Sequence, residues 1–321
     1  MPTLLHYRSW QGEFHSPWWS VWPIARVALG TLLRRKLFWT LYAFGLLLFF
    51  MFFFGTFLLA WAESLVSGTQ PQLARFGDLG RVLTTNIRRA LVILEGSRDT
   101  FQYFFAYQGG IVIVTLSLVG AILVGNDFTH KSLGFYLAKP INRWHYILGK
   151  CLAVFIVVQM MTTLPALVLY GQHAFDDWDY LLNVDHFTAN DGKGPAGIAL
   201  LLAVVGYGTL LSVVLSILLV AAASWMRRTM PLIMVWISAF FYLRLLANIL
   251  VDGLKYDVRW RLLDLWNSLT LLGQGCLGYA AEEISPKPHP EFWEAGLMLI
   301  GVCTVCLIYL NHRTRGVEIV R

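Results

Sequence analysis

The sequence predicts an all-α, polytopic integral membrane protein with six transmembrane helices plus interfacial helices. The chain has 321 residues, of which 57% are hydrophobic and only 14% are charged. A soluble domain carries about 25% charged residues. The hydrophobic residues also form runs long enough to cross a bilayer, which takes about 20 residues per helix. These observations exclude an ordinary soluble domain and predict a single transmembrane domain over residues 1–321.

Six hydrophobic runs account for the predicted spans. They lie at residues 38–61, 103–125, 151–170, 198–225, 230–251 and 293–310. The fourth run is longer than a bilayer requires, so it is expected to tilt or to extend beyond the membrane. The N-terminal segment lacks the apolar stretch and cleavage site of a signal peptide. The first span is therefore expected to direct insertion and to remain in the protein.

The distribution of charge predicts that both termini are cytoplasmic. In this orientation 14 of the 25 Lys and Arg residues lie on the cytoplasmic side, many of them beside span ends, where they determine topology. Only 3 of the 19 acidic residues lie on that side. The first outer loop contains five arginines and opposes this orientation, but most of them lie far from the span ends, where the rule is weak.

The segments between the spans also carry predicted helices. Residues 1–37 form a cytoplasmic segment with an interfacial helix at 24–36, preceded by Trp18, Trp19 and Trp22, because tryptophans favour headgroup depth. The predicted outer loops lie at residues 62–102, 171–197 and 252–292. An amphipathic helix is expected at 79–94, and the apolar stretch at 262–272 is too short to span, so a re-entrant or surface helix is expected there.

The loop at residues 126–150 carries the strongest functional signal. Its middle, residues 130–138, could form about two turns of helix before Pro140 ends it. Its basic side chains can bond to carboxylates of a partner, and its aromatic residues are of the kind that anchor protein interfaces. The pattern favours a docking site for a cytoplasmic partner over a loop that only sets topology. The candidate docking residues are Asp127, His130, Lys131, Leu133, Phe135, Tyr136, Lys139, Pro140 and Arg143.

Three polar residues inside the spans are candidates for a substrate path or a subunit interface. Arg244 lies about two helical turns from the outer end of the fifth span, and an arginine at such depth is energetically costly. It either reaches outward toward Asp252 or Glu63, or it faces a substrate path or a second subunit. Gln108 and Gln159 favour hydrogen bonds between helices over substrate contacts.

Familiar catalytic and metal-binding motifs do not occur in the sequence. There is no H-E-x-x-H and no G-x-S-x-G motif. Cys303 and Cys306 form a C-x-x-C within an apolar span, where small residues for helix packing are the favoured interpretation. Gly149 and Lys150 resemble the end of a phosphate-binding loop, but no glycine stands five residues earlier. The chain is therefore expected to have no catalytic, metal or nucleotide site of its own and not to bind nucleic acid.

The loop sequence GNDFTHKSLGFYLAKPINRWHYILGK and the six-span topology resemble the permease subunit of type-2 ATP-binding-cassette (ABC) exporters. The positions that carry the resemblance are Asp127, a short helix at 131–137, the small-x-P-[IV]-x-R element at 138–143, and Gly149 with Lys150. A long, Trp-rich N-terminus and a large first outer loop depart from the family pattern.

The resemblance implies a permease dimer, homomeric or heteromeric, in a prokaryotic plasma or inner membrane. Each copy would pair with a separate ATPase subunit that binds ATP and Mg²⁺, so no cofactor is expected in this chain. The loop at 126–150 would be the coupling element that docks on the ATPase, and membrane lipids would surround the spans. Two alternatives are a mechanotransmission complex acting on a periplasmic partner without bulk transport, and a membrane enzyme that modifies lipids.

Overall fold

A computed structural model confirms the all-α, six-span architecture. It describes residues 17–55, 98–125, 143–176, 197–226, 228–280 and 288–315, together with Phe57, Trp61, Glu283 and Ile284. Six helices in these ranges are long and apolar enough to cross a membrane. No β-strand occurs in this part of the chain.

The helices follow one another in the order that the hydrophobic runs predict. A short 3-10 turn, Pro17–Ser20, leads into α1 (Val21–Leu33). The six spans are α2 (Lys36–Phe53), α3 (Arg98–Gly120), α4 with α5 (Arg143–Met161 and Thr163–Asp176), α6 (Gly197–Trp225), α7 with α8 (Thr229–Ile237 and Leu243–Asn248), and α10 (Phe292–Arg315). Between α8 and α10 lie a 3-10 helix, Val258–Leu263, and the helix α9, Leu265–Cys276.

Several spans depart from a regular α-helix. α3 continues into a π-helical turn, Ala121–Gly125. The fifth span contains two further π-helical turns, Ser238–Tyr242 and Ile249–Gly253. The third span is interrupted at Thr162, and its helices begin and end outside the predicted apolar run because polar residues at both ends remain helical.

The fourth span, α6, lies at the centre of the bundle. It packs against α4, α5, α9 and α10, and 56% of its most hydrophobic window is buried. In contrast, 22% of the corresponding window is buried in α2 and in the fifth span, and 17% in α10. Apolar side chains on these peripheral helices are exposed, as expected for surfaces that face lipid or another subunit.

The helix α9 enters the bundle and does not lie on its surface. Its residue Trp266 packs so closely on Gly109 of α3 that a Cβ at Gly109 would overlap the indole ring. Gly109 is close to the midpoint of α3, about 16 Å from its start. At Gly273, a Cβ would overlap the Tyr207 ring of α6 in the same way. The 3-10 helix and α9 therefore form a re-entrant hairpin, one of the two arrangements expected for this stretch.

Candidate functional site

Charged residues divide the bundle into two ends. Every described acidic side chain lies at or toward the end that includes Asp99, Gly253 and Phe292, which we call the acidic end. The opposite end, which we call the basic end, carries Arg26, Arg34, Arg35, Lys36, Arg143, Lys150, Arg228 and Arg313. This separation agrees with the charge pattern from which the orientation is predicted.

The predicted docking loop (residues 126–150) follows the π-helical turn Ala121–Gly125 at the basic end, and its residues 143–150 form the first turns of α4. Arg143 is half-buried at the first turn of α4. The other candidate docking residues lie outside the described residues. They are Asp127, His130, Lys131, Leu133, Phe135, Tyr136, Lys139 and Pro140.

A buried lysine joins the two stems of this loop. The Lys150 side chain is 4% exposed, and its Nζ donates a hydrogen bond of 2.8 Å to the Leu123 carbonyl oxygen. Leu123 belongs to the π-helical turn, where the regular spacing of backbone hydrogen bonds is interrupted. The bond joins the end of the second span to the start of the third. Both ends of the loop are thereby held in a fixed relation.

The N-terminal helix α1 lies against the same region. Ile24 packs on Gly149 so closely that a Cβ at Gly149 would be 2.8 Å from the Cβ of Ile24. The rings of Trp18 and His145 meet edge to face, with centroids 4.7 Å apart. A helix is present where the N-terminal helix is predicted, but it covers Val21–Leu33 instead of residues 24–36. It forms one side of the surface from which the docking loop emerges.

Gln108 forms the expected hydrogen bond between helices. It is 1% exposed, and its Nε2 donates to the Met161 carbonyl oxygen at 2.6 Å. That carbonyl lacks its helical donor because Pro165, four residues later, has no N–H. Gln108 therefore donates to a backbone carbonyl that Pro165 leaves without its helical donor. Gln159 is half-buried in α4.

Arg244 lies beside an acid that is neither of the two expected, Asp252 and Glu63. Its Nε lies 3.9 Å from Oδ2 of Asp264, and its side chain remains 56% exposed. The expected partner Asp252 instead accepts two hydrogen bonds from Arg261, at 2.8 and 3.0 Å. Glu63, the other expected partner, lies outside the described residues. The prediction of Asp252 is wrong because the re-entrant hairpin returns Asp264 to the depth of Arg244.

Asp264 has a second role as the N-terminal cap of α9. Its Oδ1 accepts hydrogen bonds from the backbone N–H groups of Trp266 and Asn267, at 3.0 and 3.1 Å. Such a cap satisfies backbone donors that no helical carbonyl can reach. The Asp264 carboxylate thus caps the re-entrant helix and also lies beside the guanidinium of Arg244.

The acidic end is held together by ion pairs that the sequence does not reveal. Arg98 pairs with Glu283 at 2.9 Å, and its guanidinium carbon lies 4.3 Å from the centre of the Tyr279 ring. Tyr279 donates a hydrogen bond to Asp99. The backbone N–H of Ala280 and the Arg98 guanidinium lower the pKa of Glu283, whereas burial, followed by Asp99, raises the pKa of Tyr279. These contacts fasten the segment after α9 to the start of α3.

The cysteines show no paired chemistry. Cys303 and Cys306 are half-buried in α10 and are free thiols, as are Cys151 and Cys276. Among the described residues, no group of three His, Cys, Asp or Glu side chains is placed to hold a metal ion.

Comparison with known proteins adds no assignment, because no model of a protein family and no curated protein matches the chain. The resemblance to ABC permeases therefore depends on the loop sequence and on the six-span architecture.

Proposed function

We propose that the chain is the transmembrane permease subunit of an ABC transporter, driven by a separate cytoplasmic ATPase. Two copies of the chain, or one copy and a related subunit, would form the translocation path. The basic end would face the cytoplasm, and the loop at residues 126–150 would transmit the ATPase motion to the spans.

The observation that carries this proposal is the rigid base of the loop. The Lys150–Leu123 hydrogen bond joins the two stems, and α1 packs beside them through Ile24 and Gly149. A force on the loop would therefore move the second and third spans together instead of separating them. A loop with only a topological role does not require a buried cation at its base, since burying a charge is costly.

The basic surroundings of the loop support a partner with an acidic surface. All described charged side chains at this end are cationic. Complementary charge accelerates association and orients the partner. The lightly buried fifth span and α10 offer surface for a second permease copy, which the proposal requires.

A mechanotransmission complex is the second candidate, and the acidic end supports it. The segment after α9 is fastened to α3 by the Arg98–Glu283 ion pair, and Arg259 pairs with Glu294 of α10 at 3.0 Å. These contacts connect the outer surface to two spans. A movement of the spans would therefore reach a periplasmic partner without any substrate crossing the membrane.

The test is co-purification of the chain with an ATPase from the same organism that carries a G-x-x-x-x-G-K-[ST] loop. Leu133→Pro should abolish ATPase binding, because a proline inside a two-turn helix costs about 3 kcal/mol. Arg143→Glu should weaken binding at least tenfold by placing a carboxylate against the acidic surface expected of the ATPase. A glutamate at the first turn of α4 is compatible with the helix, so insertion should be unaffected.

Arg34→Glu is the matched control, because it reverses an exposed charge at the same end, between α1 and α2 and outside residues 126–150. It should retain most ATPase binding. Full binding and full stimulation of ATP hydrolysis by both loop variants would refute the coupling role. Stimulated hydrolysis without substrate movement in reconstituted vesicles would favour mechanotransmission over transport.

A further inference from the structure

A cavity of about 350 Å³ opens between three spans in the half of the bundle nearer the basic end. Its walls come from residues 218–225 of α6, 235–240 of the fifth span and 305–309 of α10, and Leu265 of the re-entrant helix closes its inner end. The volume falls within the range of about 300–1,000 Å³ typical of ligand sites. An engineered apolar cavity of about 150 Å³ already admits benzene.

The cavity is lined by apolar and aromatic side chains, and no charged residue contributes to its wall. Water is poorly held in such a space because it needs two or more polar partners. An empty space would deprive the wall of van der Waals contacts. A hydrocarbon chain would make these van der Waals contacts with the wall, and the membrane supplies hydrocarbon chains at this depth.

The outer part of the cavity has the composition of a membrane interface. Trp225 ends α6 and is 60% exposed, and Tyr309 lies in the last turns of α10. Tryptophan and tyrosine are enriched at the depth of lipid headgroups. The cavity thus runs from the middle of the bundle at Leu265 to headgroup depth at Trp225 and Tyr309.

Two arginines lie beyond this outer part. Arg313 follows Tyr309 by four residues on the same helix, so both occupy one face, with Arg313 about 6 Å nearer the end. Arg228 immediately precedes α7 and follows Trp225 by three residues. Both arginines are exposed, and neither forms an ion pair with a described acidic residue. Basic clusters between membrane helices bind acidic lipid headgroups.

We propose that this cavity is a binding site for one anionic phospholipid of the leaflet at the basic end. One acyl chain fills the cavity between α6, the fifth span and α10, and the phosphate lies between Arg228 and Arg313. The lipid fills the space between the fifth span and α10, so its binding holds the fifth span against the rest of the bundle. The proposal concerns lipid binding alone and is independent of the proposed ATPase partner.

The experiment uses the full chain in phosphatidylcholine vesicles that contain a small fraction of phosphatidylglycerol with a photoreactive group in its acyl chain. After irradiation, mass spectrometry maps the attached lipid. Labelling is expected at residues 305–309 of α10. It should be well above the labelling at residues 37–44 of α2, where Leu37, Trp39 and Phe44 are exposed at the surface of the bundle. A photoreactive phosphatidylcholine should label both regions alike.

Two sets of variants test the two parts of the site. Ala222→Phe should fill the cavity and remove the preferred labelling, whereas Gly301→Leu, at an open position on α10, should leave it unchanged. Arg228→Gln together with Arg313→Gln should reduce labelling by phosphatidylglycerol about 30-fold, or about fivefold for each arginine. Arg34→Gln with Arg35→Gln is the charge-matched control and should have little effect.

Several outcomes would overturn the proposal. Equal labelling of residues 305–309 by phosphatidylcholine and phosphatidylglycerol would show that no anionic lipid is selected. Competition by inorganic phosphate would show a site for free phosphate, and a cross-link to a second copy would show a subunit interface. If the variants fail to insert, competition on the wild-type protein tests the proposal. Unlabelled phosphatidylglycerol should displace the photoreactive lipid better than unlabelled phosphatidylcholine does, and equal displacement would overturn the proposal.

Discussion

The hydrogen bond from Gln108 to the Met161 carbonyl gives a prediction that can be tested by a double-mutant cycle. Pro165 cannot donate to this carbonyl, and the next N–H, that of Ala166, bonds to the Thr162 carbonyl at 3.1 Å. Gln108 donates to the Met161 carbonyl at 2.6 Å from inside the bundle. The stability that the Gln108 hydrogen bond contributes should therefore depend on Pro165.

The expected magnitude follows from the environment of the bond. Gln108→Leu leaves the Met161 carbonyl without a donor, and hydrogen bonds between membrane helices contribute about 0.6 kcal/mol on average and up to about 1.7 kcal/mol. Because this bond is buried, we expect a loss of about 1 kcal/mol in the free energy of unfolding. Pro165→Ala restores the N–H that pairs with Met161. In that background Gln108→Leu should cost almost nothing.

The assay is equilibrium unfolding of the purified protein in mixed detergent micelles, with the two single variants and the double variant. A coupling energy of about 1 kcal/mol between positions 108 and 165 is expected. Gln159→Leu is the control, because Gln159 is a half-buried glutamine of the third span itself, and its effect should not depend on residue 165. Effects of Gln108→Leu and Pro165→Ala that add within about 0.3–0.5 kcal/mol would refute the pairing argument.

Further predictions concern the re-entrant helix and the acidic end. Gly109→Ala should destabilise the protein by about 1–3 kcal/mol, because its Cβ would displace Trp266, whereas Gly110→Ala, with nothing within 4 Å, should be neutral or stabilising in the same unfolding assay. Glu283→Gln should cost less than about 1 kcal/mol at pH 7. Because Arg98 and a backbone N–H lower the pKa of Glu283, its contribution is present above the ordinary glutamate pKa. The wild type and the variant should converge as the pH falls through the lowered value.

The spans could be predicted from the sequence because burial in a bilayer requires long apolar runs. All six predicted runs correspond to helices that are long enough to cross. The ends are less predictable, because helices continue into polar residues as long as backbone hydrogen bonds form. The third span shows this, since its helices extend from Arg143 to Asp176 while its apolar run covers only residues 151–170.

The position of α9 could not be predicted from the sequence. Its apolar stretch is too short to span, and its placement depends on two glycines that admit Trp266 and Tyr207. In the sequence, Gly109 is far from Trp266, and Gly273 is far from Tyr207. No local pattern therefore indicates that these residues meet. The acid beside Arg244 is unpredictable for the same reason, because the hairpin brings Asp264 to it, whereas the sequence favours Asp252, the nearest acid along the helix.

The sequence predicts the docking role of the loop at residues 126–150, whereas the structure describes the stems on either side of it. The pattern of basic and aromatic residues predicts docking, and the candidate docking residues other than Arg143 lie outside the described ranges. In the sequence, Gly149 and Lys150 only resemble the end of a phosphate-binding loop, and the first glycine of such a loop is absent. The structure gives each residue another role, since Gly149 admits Ile24 and Lys150 bonds to Leu123.

Three polar side chains in the spans bond to carbonyls where the regular helix is interrupted or ends. The pairs are Gln108 with Met161, Lys150 with Leu123, and Gln172 with Phe53. An unpaired carbonyl is costly within a bilayer, so these side chains are explained by the backbone that they satisfy. Arg244 differs from them because its partner is a carboxylate and more than half of its side chain is exposed. An exposed guanidinium within a span is costly unless it reaches water or another polar surface, which keeps Arg244 the candidate for the proposed translocation path or a proposed subunit interface.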